Sequence, residues 1–164
     1  MLFSSVPTPC IGICSTTYGD TVCRGCRRYL PEVIEWNRYS DYEKRLIWQR
    51  LDGLLQQIMP RYFVIFDSER LRHELMSRRI PIRAEANSWT WLQQLLKHMA
   101  RQIYDLSQFG VHRLDQSELD LFALRESINA ELHMLASAYY ERDLLRAKQL
   151  AENLKKEDGA PERT

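Results

Sequence analysis

Beyond position 26 the chain contains no cysteine, and its four cysteines, Cys10, Cys14, Cys23 and Cys26, are crowded into one short stretch near the start. Glycine is also scarce, with six in 164 residues, and no segment repeats, which excludes collagen-like and solenoid architectures. No apolar run is longer than Tyr62–Phe66, far below the roughly 20 residues that a membrane-spanning helix needs. Charge of one sign is not in excess: 23 basic and 22 acidic residues leave a net +1, so composition demands neither nucleic acid nor an acidic membrane. The stretch Met1–Pro7 has no basic, apolar and small-residue succession of the kind a secretory signal shows, which leads us to expect a cytoplasmic protein without membrane association. Hydrophobic residues make up 45% and charged residues 27%, the balance of a chain able to bury a core.

Catalytic signatures are missing too. There is no G-x-S-x-G elbow, no Walker phosphate loop and no G-x-G-x-x-G turn. His73, His98, His112 and His133 form no paired-ligand spacing. Glu126, Glu131 and His133 share a predicted helix but lack the Glu-x-x-His step that sets two ligands on one face. The reading leans away from an enzyme.

The cysteines follow the spacing C-x3-C-x8-C-x2-C. In a reducing compartment such clusters point to metal ligands rather than disulfides. Two close pairs can aim four thiolates at one point, the closed arrangement of structural zinc, with Zn–S of about 2.3 Å. Gly25, inside the second pair, lets the backbone fold tightly so that amides approach sulfur, and Arg24 and Arg27 offset the negative charge of four thiolates. An iron–sulfur cluster takes the same soft donors, although the spacing differs from the usual ferredoxin runs. A C-x-x-C redox pair alone leaves Cys10 and Cys14 without a role. Zinc is the first reading and an iron–sulfur cluster the second.

Pro9-Cys10-Ile11-Gly12-Ile13-Cys14, Cys23-Arg24-Gly25-Cys26-Arg27-Arg28, Glu32-Val33-Ile34-Glu35-Trp36 and Ser40-Asp41-Tyr42-Glu43-Lys44-Arg45 together resemble a small bacterial family catalogued as domain of unknown function 1289. The resemblance spans about residues 7–51, and Tyr29 stands where the family usually has Thr or Ser. It implies a four-cysteine metal module, often labelled iron–sulfur, with the ligands carried by Cys10, Cys14, Cys23 and Cys26. It implies no activity.

Three functions follow. The first is a non-catalytic interaction or regulatory protein with a structural four-cysteine site, its partner another protein. The second is an iron–sulfur electron-transfer or redox-sensing protein. The third is a nucleic-acid-binding zinc knuckle, suggested by the arginines beside the cysteines. Arg28 and Trp36 are candidate partner contacts.

The fold expected is α+β and helix-dominated. A metal-binding module with two helices covers residues 7–59, a helix-rich part residues 60–154, and a disordered tail residues 155–164. Pro31 opens a short helix, and Ser40 with Glu43 forms a capping box for a longer one that Pro60 stops. Residues 62–66, 80–82 and 109–114 are strand candidates for a three-stranded layer. Asp67 or Ser68, Asn87 or Ser88, and Asp115 or Ser117 are expected to cap the helices between and after them, the last running along Leu121, Leu124, Ile128, Leu132, Leu135 and Tyr139.

Overall fold

Ser40 and Glu43 exchange hydrogen bonds as the sequence predicts. The Glu43 carboxylate accepts from the Ser40 amide at 2.8 Å, and Ser40 Oγ accepts from the Glu43 amide at 3.3 Å. This starts helix α2, Asp41–Ile58, which buries Ile47, Leu51, Leu54, Leu55 and Ile58 along one stripe. The structure, a computed structural model, describes residues 6–158. Before α2 comes the short α1, Leu30–Glu35, with Pro31 in its first turn. After it come β1 (Phe63–Ile65), α3 (Ser68–Ser77), α4 (Ser88–Met99), β2 (Val111–Arg113) and α5 (Leu121–Asp158).

Helix α2 packs on both α4 and α5, and α3 packs on α4. Leu71 and Leu75 of α3, Leu92, Leu95 and Leu96 of α4, and Leu124, Ile128 and Leu132 of α5 meet α2 in one core. Each fully buried leucine contributes about 1.5–3 kcal/mol by leaving water. The caps follow local chemistry: Asp67 Oδ1 accepts from the Arg70 amide, and Asn87 Oδ1 from the Thr90 amide.

The sheet has two strands rather than the expected three. β1 and β2 run antiparallel, with Val64 opposite His112. Residues 80–82 form no strand because their backbone is committed elsewhere. Arg79 takes a left-handed conformation (φ +57°), and the Ile80 amide donates back to the Leu75 carbonyl, closing the end of α3. Pro81 has no amide to add to a ladder. Residues 109–114 shrink to Val111–Arg113, since Phe109 ends a 3-10 turn and Gly110 (φ +73°) reverses the chain. That glycine is obligatory: a Cβ there would collide with the Asp67 carbonyl oxygen.

The start of α5 is also a correction. Asp115 and Ser117 do not cap it. Arg113 occupies Asp115 with two hydrogen bonds and also holds the Ser117 and Leu119 carbonyls. The cap falls to Asp120, whose carboxylate accepts from the Ala123 amide at 2.7 Å. The apolar stripe fades after Leu145, yet the helix continues through Asp158, and residues 141–156 are all exposed. The rest of the expected tail, 159–164, lies outside the described residues.

Candidate metal centre

The Cys23–Cys26 segment is the tip of a small hairpin. Val22 bridges Tyr29, the Cys23 amide donates to the Arg28 carbonyl at 2.9 Å, and the Leu30 amide donates to the Thr21 carbonyl at 2.8 Å. The tip closes through the Arg27 amide, which donates to the Cys23 carbonyl at 2.8 Å. That closure puts Arg27 in a left-handed conformation (φ +63°), a strain of about 1–2 kcal/mol for a residue with a Cβ. Strain of this kind persists only where the surroundings hold it.

Both sulfurs of this pair are buried and surrounded by donors. Burial pushes the Cys23 thiol up, but the amides of Cys26, Ser15 and Gly25 and the Cys26 side chain outweigh it and bring it down to about 7. Burial holds Cys26 above the usual thiol range even though Arg28 Nε donates to its Sγ at 3.3 Å. Arg27 is 8% exposed, and among the described residues its guanidinium has no carboxylate partner. Burial lowers its pKa to about 10, with Cys26 and Cys23 as the opposing influences. Arg28, 4% exposed, stacks over Trp36, itself 7% exposed. The two residues expected to contact a partner thus lie inside, against each other.

The first pair lies on an arm laid over the hairpin. The Arg24 amide donates to Ser15 Oγ at 2.8 Å, and a Cβ on Gly25 falls 2.6 Å from Ile11 Cδ1. Trp48 Nε1 donates to the Pro7 carbonyl at 2.9 Å and pins the start of the arm to α2. Cys10 is exposed and Cys14 half-buried; their sulfurs meet the Gly12 amide and the Thr16 hydroxyl. All four cysteines are free thiols. Among the described residues, no three Cys, His, Asp or Glu side chains are gathered tightly enough to hold an ion between them. Arg24, expected beside the metal, points outward and pairs with Asp20 at 2.9 Å.

The donor set nevertheless suits a thiolate-bound group. Amides and a guanidinium already donate to the buried pair, and among the described residues neither Arg27 nor Arg28, both buried, forms an ion pair with a carboxylate. Two such charges balance the net −2 of four thiolates around one divalent ion.

Several supports of the hairpin carry no motif. His133 of α5 approaches the Val22 carbonyl oxygen at 2.9 Å. Arg50 of α2 donates to Glu32 at 2.5 Å and lies over the Tyr29 ring at 3.9 Å, while Tyr29 packs on Tyr140. The large Tyr29 therefore fills a seam between hairpin, α2 and α5. Among the described residues no helix is long and apolar enough to cross a membrane.

Known proteins match part of the chain. The model of a family described as "Protein of unknown function (DUF1289)" matches residues 8–54. "Uncharacterized protein YdhL" of Escherichia coli (strain K12) is 42% identical over 62 residues, covering 35% of this chain and 77% of that protein. The YdhL proteins of Shigella flexneri and Escherichia coli O6:H1 match with the same identity and coverage. No solved structure matches. With the shared segment spanning arm, hairpin, α1 and most of α2, the chain belongs to the DUF1289 family.

Proposed function

We propose that this protein is a non-catalytic interaction or regulatory protein whose Cys10, Cys14, Cys23 and Cys26 hold a metal as a structural staple, zinc first. The observation that carries this reading is the buried Cys23–Cys26 pair facing two buried arginines that, among the described residues, form no ion pair with a carboxylate. An all-sulfur set leaves no open coordination position for a substrate, which suits a structural role. Structural zinc supplies on the order of 10–16 kcal/mol apparent free energy, enough to order an arm that buries little of its own.

An iron–sulfur cluster is the second reading, since it takes the same four soft donors. The nucleic-acid reading loses its motivation, because Arg27 and Arg28 are buried and Arg24 is paired.

Anaerobic purification followed by elemental analysis and an optical spectrum tests the proposal. One zinc per colourless chain supports the first reading. Iron with absorption near roughly 400 nm moves it to the second. A chain that binds neither, even after reconstitution under reducing conditions, overturns both.

A further inference from the structure

A cleft of about 850 Å³ opens between the arm, α2, α4 and α5. Small-molecule sites run roughly 300–1,000 Å³, so this one has room for a ligand of ordinary metabolite size. Ile11 and Ile13 of the arm, Trp48, Leu51 and Leu55 of α2, and Met134 of α5 give it apolar walls.

Its polar groups divide unevenly between used and unused. Asp52 holds Arg83 at 2.5 Å and the Thr90 hydroxyl at 2.9 Å. Glu126 holds Arg125 at 2.6 Å, and Gln93 donates to Asn129. Both acids in the wall are therefore already neutralised. Among the described residues, the Lys97 ammonium lines the same cleft without an acceptor, while the Arg27 guanidinium beside it already faces Cys23 and Cys26. Of the charged groups that line the cleft, the one left for a ligand is therefore a cation, Lys97, beside neutral polar side chains such as Gln94.

We propose that this cleft binds a small organic anion with an apolar body, its charged end at Lys97 and its hydrocarbon along Ile11, Ile13, Leu55 and Met134. Carboxylates and phosphate monoesters share this chemistry. The site is a product of this chain's own elaboration. A relative in which 62 residues make up 77% of the length has no room for the family segment followed by all of α3, α4 and α5. The added helices α4 and α5 supply Lys97 and Met134, and the family segment supplies the opposite wall. The proposal goes beyond the metal reading and rests on the arm that carries Cys10 and Cys14 being seated over the hairpin, so metal content is followed alongside ligand binding.

Isothermal titration calorimetry of the full chain as purified, with its metal content measured alongside, tests it. The probes are decanoate and decyl phosphate below their micelle concentrations, with 1-decanol as the uncharged control. Saturable one-to-one binding of either anion, tighter than decanol, is the expected result; the tighter of the two identifies the headgroup. Lys97→Glu should weaken it by about tenfold, because a like charge at the anion's end costs more than a lost pair. Ala130→Trp, an exposed wall position filled by an indole, should abolish it while leaving helicity and metal content unchanged. No saturable binding of either anion, equal affinity for decanol, or binding unaffected by both variants overturns the proposal.

Discussion

His133 Nε2 lies 2.9 Å from the carbonyl oxygen of Val22, joining the middle of α5 to the residue before Cys23. A carbonyl only accepts, so the imidazole donates through Nε2. The contact reaches across 111 positions of chain and fixes the hairpin to the helical body. Through it the family segment and the added helices behave as one structure.

His133→Ala should therefore loosen the hairpin selectively. The net loss is about 1 kcal/mol, the usual worth of one hydrogen bond. Amide hydrogen exchange should speed up at Cys23, Arg27 and Leu30, whose amides close the hairpin, and stay unchanged in α3. Equal acceleration throughout would mean that the contact supports global stability rather than the hairpin.

Asp52 carries a second link. Its carboxylate, largely buried in α2, receives Arg83 and Thr90, and its backbone carbonyl accepts from Asn87 Nδ2 at 3.2 Å. Arg83 in turn lies 3.7 Å from the Trp48 ring. Asp52→Ala strands the guanidinium and leaves the Thr90 hydroxyl only its longer bond to Asn87 Oδ1 at 3.2 Å, and should cost about 2–4 kcal/mol in chemical denaturation. Asp52→Asn keeps an acceptor for Thr90 and should cost less.

Acid should act through Asp115. The Arg113 side chain holds that carboxyl well below the usual range, down to about 2, against a value of about 3.9 in the unfolded chain. A depressed folded value means that the stabilisation is complete above about pH 4 and disappears as pH falls toward about 2. At neutral pH it amounts to about 1–2 kcal/mol after allowance for its partial exposure. Asp115→Asn should lower the denaturation midpoint at about pH 7 and converge with the parent chain at about pH 2. A constant gap between the two across that range contradicts the assignment.

The elements legible in the sequence were those written in local chemistry. The Ser40–Glu43 box, Asp67, Asn87 and the leucine spacing of α4 each state a helix within a few residues, and each helix forms. Asp115 misled because its carboxylate had a closer claimant: Arg113 lies on a strand whose position only tertiary pairing fixes. Ile80-Pro81-Ile82 looks extended, yet its first amide belongs to the end of α3. At the candidate centre, the cysteines and Gly25 were visible from spacing. His133, Arg50 and Tyr140 were not, since they reach the hairpin from other elements and carry no signature of that contact. The inward turn of Arg27 and Arg28 was equally hidden, because a basic run reads the same whether it faces water or sulfur.

Gly25 offers the sharpest test of how arm and hairpin fit. A methyl at this position falls 2.6 and 2.7 Å from Ile11 Cδ1 and Cγ1, and 3.3 Å from the Ile13 carbonyl oxygen. The isoleucine is a flexible obstacle and the carbonyl a milder, stiffer one, so Gly25→Ala should push the arm outward mainly through Ile11. On the proposed metal reading, metal stoichiometry under native mass spectrometry should fall, because Cys10 and Cys14 ride on that arm. Ile11→Ala removes both crowded carbons and should by itself change metal content little. In the double variant Gly25→Ala/Ile11→Ala the arm regains its seat and stoichiometry recovers, a coupling that a double-mutant cycle reads directly. If the second substitution restores nothing, the glycine serves the turn's backbone rather than the approach of the arm.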